Sequence, residues 1–184
     1  MLVILSGVSG AGKDTIKREI VKRVEYVDSF PTVTSRPIRN GDIPGVTYIF
    51  VNKEQFEEMI KNGELYEYDI HHNNYYGVPK KPLQEKLKEG KVAIRDVDVN
   101  GTETLVKKLG NTIKIITIFL HVPKDVLKTR LEGRIDKPSK EEIELRLSRF
   151  DYEESKKDKY DYVIENINQE ETVKKVIEII EKNI

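Results

Sequence analysis

The sequence predicts an α/β fold in which a parallel core sheet is flanked by helices. Three observations carry this expectation: four strand-like segments, LVIL (2–5), VAIRDVD (92–98), KIITIFLHV (114–122) and YDYVIEN (160–166); a stretch of helical periodicity after each; and a glycine-rich turn joining the first strand to its helix. Strands buried on both faces read as apolar runs, and strands alternating with helices belong in parallel sheets covered on both sides.

Taken in order, LVIL runs into GVSGAGKDT (7–15), after which Ile16, Ile20, Val21 and Val24 recur at helical spacing among Lys, Arg and Glu. The second core strand is followed by a turn at Asn100-Gly101 and a helix ending at Gly110. The third is followed, after Pro123, by a helix with Val126, Leu127 and Leu131 on one face. The last helix carries Val173, Val176, Ile177 and Ile180. Two stretches break the alternation. Residues 32–88 hold a basic turn (TSRPIRNGDIPG), a strand at YIFV, a helix opened by the capping pattern Asn52-x-x-Gln55, and a tyrosine-rich hairpin turning at Asn73-Asn74. Residues 124–159 form a basic helical excursion with a second capping pattern, Ser139-x-x-Glu142. The expected plan is one folding unit: a core (1–31, 89–123 and 160–184) with two insertions.

Composition narrows the function. With 184 residues, 38% hydrophobic and 35% charged, the chain reads as one soluble globular unit. Lys+Arg and Asp+Glu both number 32, so no net charge draws it to nucleic acid or to an acidic membrane. The absence of Cys excludes disulfides, zinc–thiolate sites and thiol nucleophiles and fits a reducing cytoplasm. The longest apolar run, IITIFL (115–120), is too short to span a bilayer, and MLVIL does not read as a signal peptide.

The chemistry starts at the glycine turn. Gly7, Gly12 and Lys13 meet the spacing G-x-x-x-x-G-K directly after a buried strand and before a helix. There, backbone N–H groups point at phosphate oxygens, the helix N-terminus adds partial positive charge, and the lysine reaches the outer phosphates. Asp14 stands where the pattern expects Ser or Thr. Facing the phosphates it would repel them, whereas at the first turn of a helix it is favoured by the macrodipole. Asp14 is therefore expected to face away or to meet magnesium through water, with Thr15 serving the phosphates.

Beyond the loop the chain resembles the guanylate kinases. GVSGAGK, TSRPIRNGDIPGVTYIFV, ELYEYDIHHNNYYG, AIRDVDVNG, then RLEGR and ELRL, follow one another in that family's order over about 140 residues. The resemblance implies a P-loop kinase fold with an inserted GMP-binding subdomain (32–88) and a lid (124–159). It also implies transfer of the terminal phosphoryl group of ATP to GMP or dGMP with Mg2+, and a monomer or homodimer acting on small nucleotides alone.

Carried over by position, the resemblance assigns the ATP loop to Gly7, Val8, Ser9, Gly10, Ala11, Gly12, Lys13, Asp14 and Thr15, with Asn166 near the adenine. Arg36, Arg39, Tyr48 and Tyr76 match the grip on the acceptor phosphate, where a guanidinium fork fits bidentately. Glu67 matches the base reader, accepting from N1–H and the amino group of guanine. Thr32, Gly77 and Val78 complete the base pocket; Thr32 keeps a hydroxyl where the family has Ser, and Val78 loses the family's Ser or Thr. Asp96 and Asp98 lie between base and metal, with Asp96 and Thr15 as candidate metal ligands. Arg130, Arg134 and Arg146 match lid arginines that, with Lys13, surround the transferring group. His71, His72 and His121 have no ligand spacing and read as packing. Two alternatives stay open: a ribose 1,5-bisphosphate kinase of the same fold, against which Arg36, Arg39 and Glu67 weigh, and a non-catalytic phosphopeptide-binding module, against which Lys13 weighs. Both insertions are expected to close over the core when two substrates bind.

Overall fold

An apolar strand needs neighbours at both edges and cover on both faces. The computed structural model describes residues 1–39, 41–71, 73–133 and 138–184. In chain order the elements are β1 (Leu2–Gly7), α1 (Lys13–Arg23), β2 (Val27–Ser29), β3 (Thr32–Thr34), β4 (Tyr48–Phe50), α2 (Lys53–Lys61), β5 (Leu65–His71), β6 (Asn74–Pro79), α3 (Lys80–Lys88), β7 (Val92–Asp96), α4 (Val99–Leu109), β8 (Ile115–His121), α5 (Lys124–Glu132), α6 (Lys140–Ser148), α7 (Phe150–Glu154), β9 (Tyr162–Glu165) and α8 (Gln169–Asn183).

The core sheet is parallel, in the order β2-β7-β1-β8-β9. All six residues of β1 are buried, and the first four alternate between two apolar layers. Val3 and Leu5 pack with Ile16 and Ile20 of α1 and with Val173, Val176 and Ile180 of α8. Leu2 and Ile4 pack on the opposite face with Leu83 of α3 and with Leu105 and Leu109 of α4. Period-two alternation within a continuously apolar strand is what helices on both faces require.

A second sheet, in the order β4-β3-β6-β5, is formed within residues 32–79 and has its own small core, Val33, Phe56 and Leu65, under α2. β3 runs parallel to β4 and antiparallel to β6, which pairs antiparallel with β5. Both expected capping boxes form: Asn52 with Gln55 opens α2, and Ser139 with Glu142 opens α6.

Three local expectations are corrected. Asn100 and Gly101 do not make a turn; they lie in the first turn of α4, whose N-cap is Asp98, accepting from Asn100 N and Gly101 N. Asn74 is not part of the hairpin turn: it already pairs with His71 in the ladder, while Asn73 holds φ 61°. The core has a fifth strand, β2, three residues long and held along β7. No helix of the described residues is long and apolar enough to cross a membrane.

Candidate active site

At the end of β1 the chain reverses into α1 through a turn that only glycine fits. Gly7 has φ 134°, and a Cβ there would meet the Leu120 carbonyl oxygen at 2.4 Å. Gly12 caps α1 at φ 88°, in the left-handed region. Lys13, the first residue of α1, folds its ammonium back over the turn, donating to the carbonyls of Gly7 and Val8 at 2.8 and 2.9 Å. Burial holds this ammonium below the ordinary lysine value, against the pull of Glu153, Asp96 and Asp98. The Ser9 amide donates to Glu153 Oε2 at 2.9 Å, and Arg146 donates to Ser9 Oγ at 2.9 Å. The turn thus already presents an N–H to an anionic oxygen. Asn166 steadies it from β9's side, its side-chain amide donating to the Ala11 carbonyl at 2.6 Å.

Asp14 faces away from the turn. Its two oxygens meet Lys17 Nζ at 2.9 Å and Arg18 at 3.0 Å. Lys17 is buried and bridges onward to Asp96 Oδ1 at 2.6 Å, so a carboxylate on α1 and one at the end of β7 share one ammonium. Burial alone would raise Asp96, but Lys17 and Arg95 hold it well below the usual carboxylate range. Thr15 is exposed on the first turn of α1 and does not line the cavity described next.

A cavity of about 250 Å³ runs from the glycine turn to the second sheet. Gly7, Ser9, Lys13 and Arg146 line one end; Thr32, Arg36, Arg39, Tyr48, Glu67, Tyr76, Gly77 and Val78 line the other; Asp96 and Asp98 lie along the same wall. Arg130 is not part of this lining and donates to the Ile167 carbonyl at 3.1 Å. Arg134 and His72 lie outside the described residues. The guanidinium of Arg36 is buried against Tyr48 and Phe50, and its fork is held by Asp42 at 2.7 and 2.9 Å. Burial pushes the Tyr48 hydroxyl up to about 12, so it stays a proton donor at neutral pH.

Glu67 is 5% exposed, and burial, followed by the charges of Asp98 and Asp69, pushes its carboxyl up to about 8. Val78 opposes Glu67 across the β5–β6 ladder and is itself 1% exposed. It supplies an apolar wall where a hydroxyl was absent from the sequence.

The sequence reading missed four lining residues: His71, Val97, Arg149 and Glu153. His71 is not mere packing, which corrects that expectation. Arg149 Nη1 lies 2.8 Å from His71 Nδ1, and His71 Nε2 lies 3.2 Å from Asp98 and 3.4 Å from Asp69. An arginine can only donate, so Nδ1 accepts and the ring proton sits on Nε2, facing the two carboxylates. Although Asp69, His71 and Asp98 converge within 4.8 Å, that tautomer leaves the ring nitrogen facing the carboxylates no lone pair for a metal to take. The i, i+2, i+4 spacing of Glu67, Asp69 and His71 on one strand face was the available signal. Glu153 had none, since its role depends on α7 folding back onto the glycine turn.

A parallel sheet with a lysine-bearing glycine turn at one strand end, facing a second polar wall across a single cleft, defines a P-loop phosphotransferase of the nucleotide-kinase type. Residues 1–183 match the family model described as guanylate kinase. The chain is 36% identical over 174 residues to the guanylate kinase of Sulfurimonas denitrificans, covering 94% of this chain and 83% of that one. It is 37% identical over 178 residues to that of Helicobacter pylori, covering 97% and 85%. The crystal structure of guanylate kinase from Anaplasma phagocytophilum superimposes with a TM-score of 0.80 at 26% identity, covering 100% of this chain and 85% of that one. The chain belongs to the guanylate kinase family.

Proposed function

We propose that the protein transfers the γ-phosphoryl group of ATP to GMP or dGMP, releasing ADP and GDP or dGDP. The observation that carries this reading is the position of Glu67. A buried carboxylate stands at the end of a cleft whose other end is the lysine-bearing glycine turn, with Arg36, Arg39, Tyr48 and Tyr76 between. Guanine offers N1–H and a 2-amino group on one edge, the pair a carboxylate accepts; adenine lacks that pair, and a site built to accept it rejects the analogue. Family membership supports the same acceptor.

In this reading residues 32–88 hold the acceptor, 124–159 act as the lid, and the remainder is the core. Thr32 faces the C6 oxygen of the base, and Asn166 lies near the adenine of ATP. Lys13, bound to the Gly7 and Val8 carbonyls, and Arg146, bound to Ser9 Oγ, set positive charge around the transferring group, where phosphoryl transfer draws most of its stabilisation. Arg130 joins them on lid closure. The donor set fits Mg2+: Asp96 is held ionised, its Oδ1 is taken by Lys17, and its Oδ2 makes no bond with a described residue. Magnesium usually binds through one or two carboxylates, keeping waters and substrate phosphates. When bound with ATP it neutralises charge on the terminal phosphates.

A coupled assay with GMP, dGMP, AMP and ribose 1,5-bisphosphate tests the proposal. GMP and dGMP are expected to exceed AMP by at least about a thousandfold in kcat/KM, as expected when buried polar groups are left unpaired. Preference for the sugar bisphosphate would overturn it.

A further inference from the structure

Arg95 is the penultimate residue of β7, 1% exposed, where a parallel core strand ordinarily carries an apolar residue. Its guanidinium does not reach the cavity. Nη1 donates to the Phe30 carbonyl at 2.9 Å, while Nη2 donates to Thr32 Oγ1 at 2.8 Å and to the Thr47 carbonyl at 3.0 Å. The ring of Tyr48 lies 5.4 Å from the guanidinium carbon. The fork therefore ties together the chain entering β3 and the chain entering β4, and both ends of that tie, Thr32 and Tyr48, line the cavity.

The hydrogen bond to Thr32 has a chemical consequence. A threonine hydroxyl carries one proton and two lone pairs. Arg95 takes a lone pair, and among the described residues the hydroxyl proton has no acceptor, so Thr32 can offer that proton to a molecule in the cavity. A cation behind the oxygen also makes it a poorer acceptor and a better donor. The strand register fixes where that donor stands. Val33 pairs with Gly77, which sets Thr32 beside Val78, and Val78 pairs with Glu67. Glu67, Val78 and Thr32 thus lie abreast on three adjacent strands, an acceptor at one end, an apolar side chain in the middle and a donor at the other.

We propose that Arg95 is a specificity-determining positioning residue: by holding Thr32 as a donor, it selects an acceptor base with an oxygen, and not an amino group, at C6. This rests on the reading that the base of GMP lies with its edge against Glu67 and Thr32. With Val78 contributing no hydroxyl, the donor beside Glu67 on this sheet face is Thr32.

The test compares GMP with 6-thio-GMP, which keeps N1–H and the 2-amino group but replaces the C6 oxygen by a weakly accepting sulfur. Wild type is expected to favour GMP by roughly tenfold in kcat/KM, the worth of one hydrogen bond, expressed mainly in KM. Thr32→Val is expected to bring the two nucleotides within about twofold, and Thr32→Ser to keep the preference. Arg95→Lys keeps a charge, but one compact ammonium cannot serve Phe30, Thr32 and Thr47 together, so the preference is expected to fall at least about threefold. Arg95→Met is expected to abolish it. A preference unchanged from wild type in Arg95→Lys, or in Arg95→Met where that variant melts cooperatively, overturns the proposal, because a merely structural role lowers both nucleotides alike. A preference unchanged in Thr32→Val overturns instead the placement of the base.

Discussion

Replacing Glu67 by Gln separates what this residue does for folding from what it does for the substrate. In the folded protein the carboxyl is pushed up to about 8 from an ordinary 4.5 by burial and by Asp98 and Asp69. A raised carboxyl makes the folded state bind the extra proton between those two values. Its stabilisation is complete below about pH 4.5 and is lost as pH rises through 8. The gap corresponds to something on the order of 5 kcal/mol once the group is fully ionised. Glutamine has no proton to lose, so Glu67→Gln is expected to melt with wild type at pH 5 and roughly 10 °C above it at pH 9. Guanine recognition moves the other way. The amide keeps one acceptor and turns a donor toward the base, so kcat/KM for GMP is expected to fall by roughly a hundredfold, the worth of a hydrogen bond to a charged group. Because the base requires the ionised form, the wild-type KM for GMP is expected to decrease from pH 6.5 to pH 8.5, a slope absent in the variant. Melting scans across pH, paired with initial rates, decide the matter. A melting difference that does not grow with pH, or an unaltered KM for GMP, would refute the reasoning.

The remaining predictions concern the charged residues around the glycine turn and the acceptor phosphate. Asp14→Asn loses two partly exposed ion pairs, so it is expected to cost about 1 kcal/mol or less in urea melts and to leave the KM for ATP within a few fold. Lys17→Met breaks a buried bridge and is expected to destabilise by roughly 3 kcal/mol. It also removes the cation nearest Asp96, so the Mg2+ concentration giving half-maximal rate is expected to fall severalfold. Arg36→Lys cannot reproduce the bidentate fork now held by Asp42, so the KM for GMP is expected to rise about tenfold or more with the KM for ATP unchanged, read from two-substrate kinetics.

Much of the core was legible because a buried parallel strand writes itself as an unbroken apolar run. LVIL and IITIFL are short, partly β-branched and bounded by turns, which favours strands, and Ile16, Ile20, Val173 and Val176 repeat with the period of the helices that cover them. The two capping boxes were legible for a similar reason, since both partners lie three residues apart. What was not legible depends on contacts between distant segments. β2 and β3 are three residues each and exist through their ladders with β7 and β6. Lys17 reads as one more surface lysine on a charged helix until β7 brings Asp96 to it, and Arg95 reads as an interruption in a strand until Phe30, Thr32 and Thr47 gather around its fork. Asp14 was the anomaly of the loop, and its partners, Lys17 and Arg18, were three and four residues away in plain view. Their pairing follows from helical spacing alone.

The position of the acceptor nucleotide decides between these readings. A crystal structure of the protein with GMP and a non-hydrolysable ATP analogue measures this directly. The expected result has the guanine edge against Glu67 and Thr32, the monophosphate among Arg36, Arg39, Tyr48 and Tyr76, and its free oxygen aimed at a γ-phosphate held by Lys13. Density for GMP anywhere other than between the second sheet and the glycine turn would contradict it.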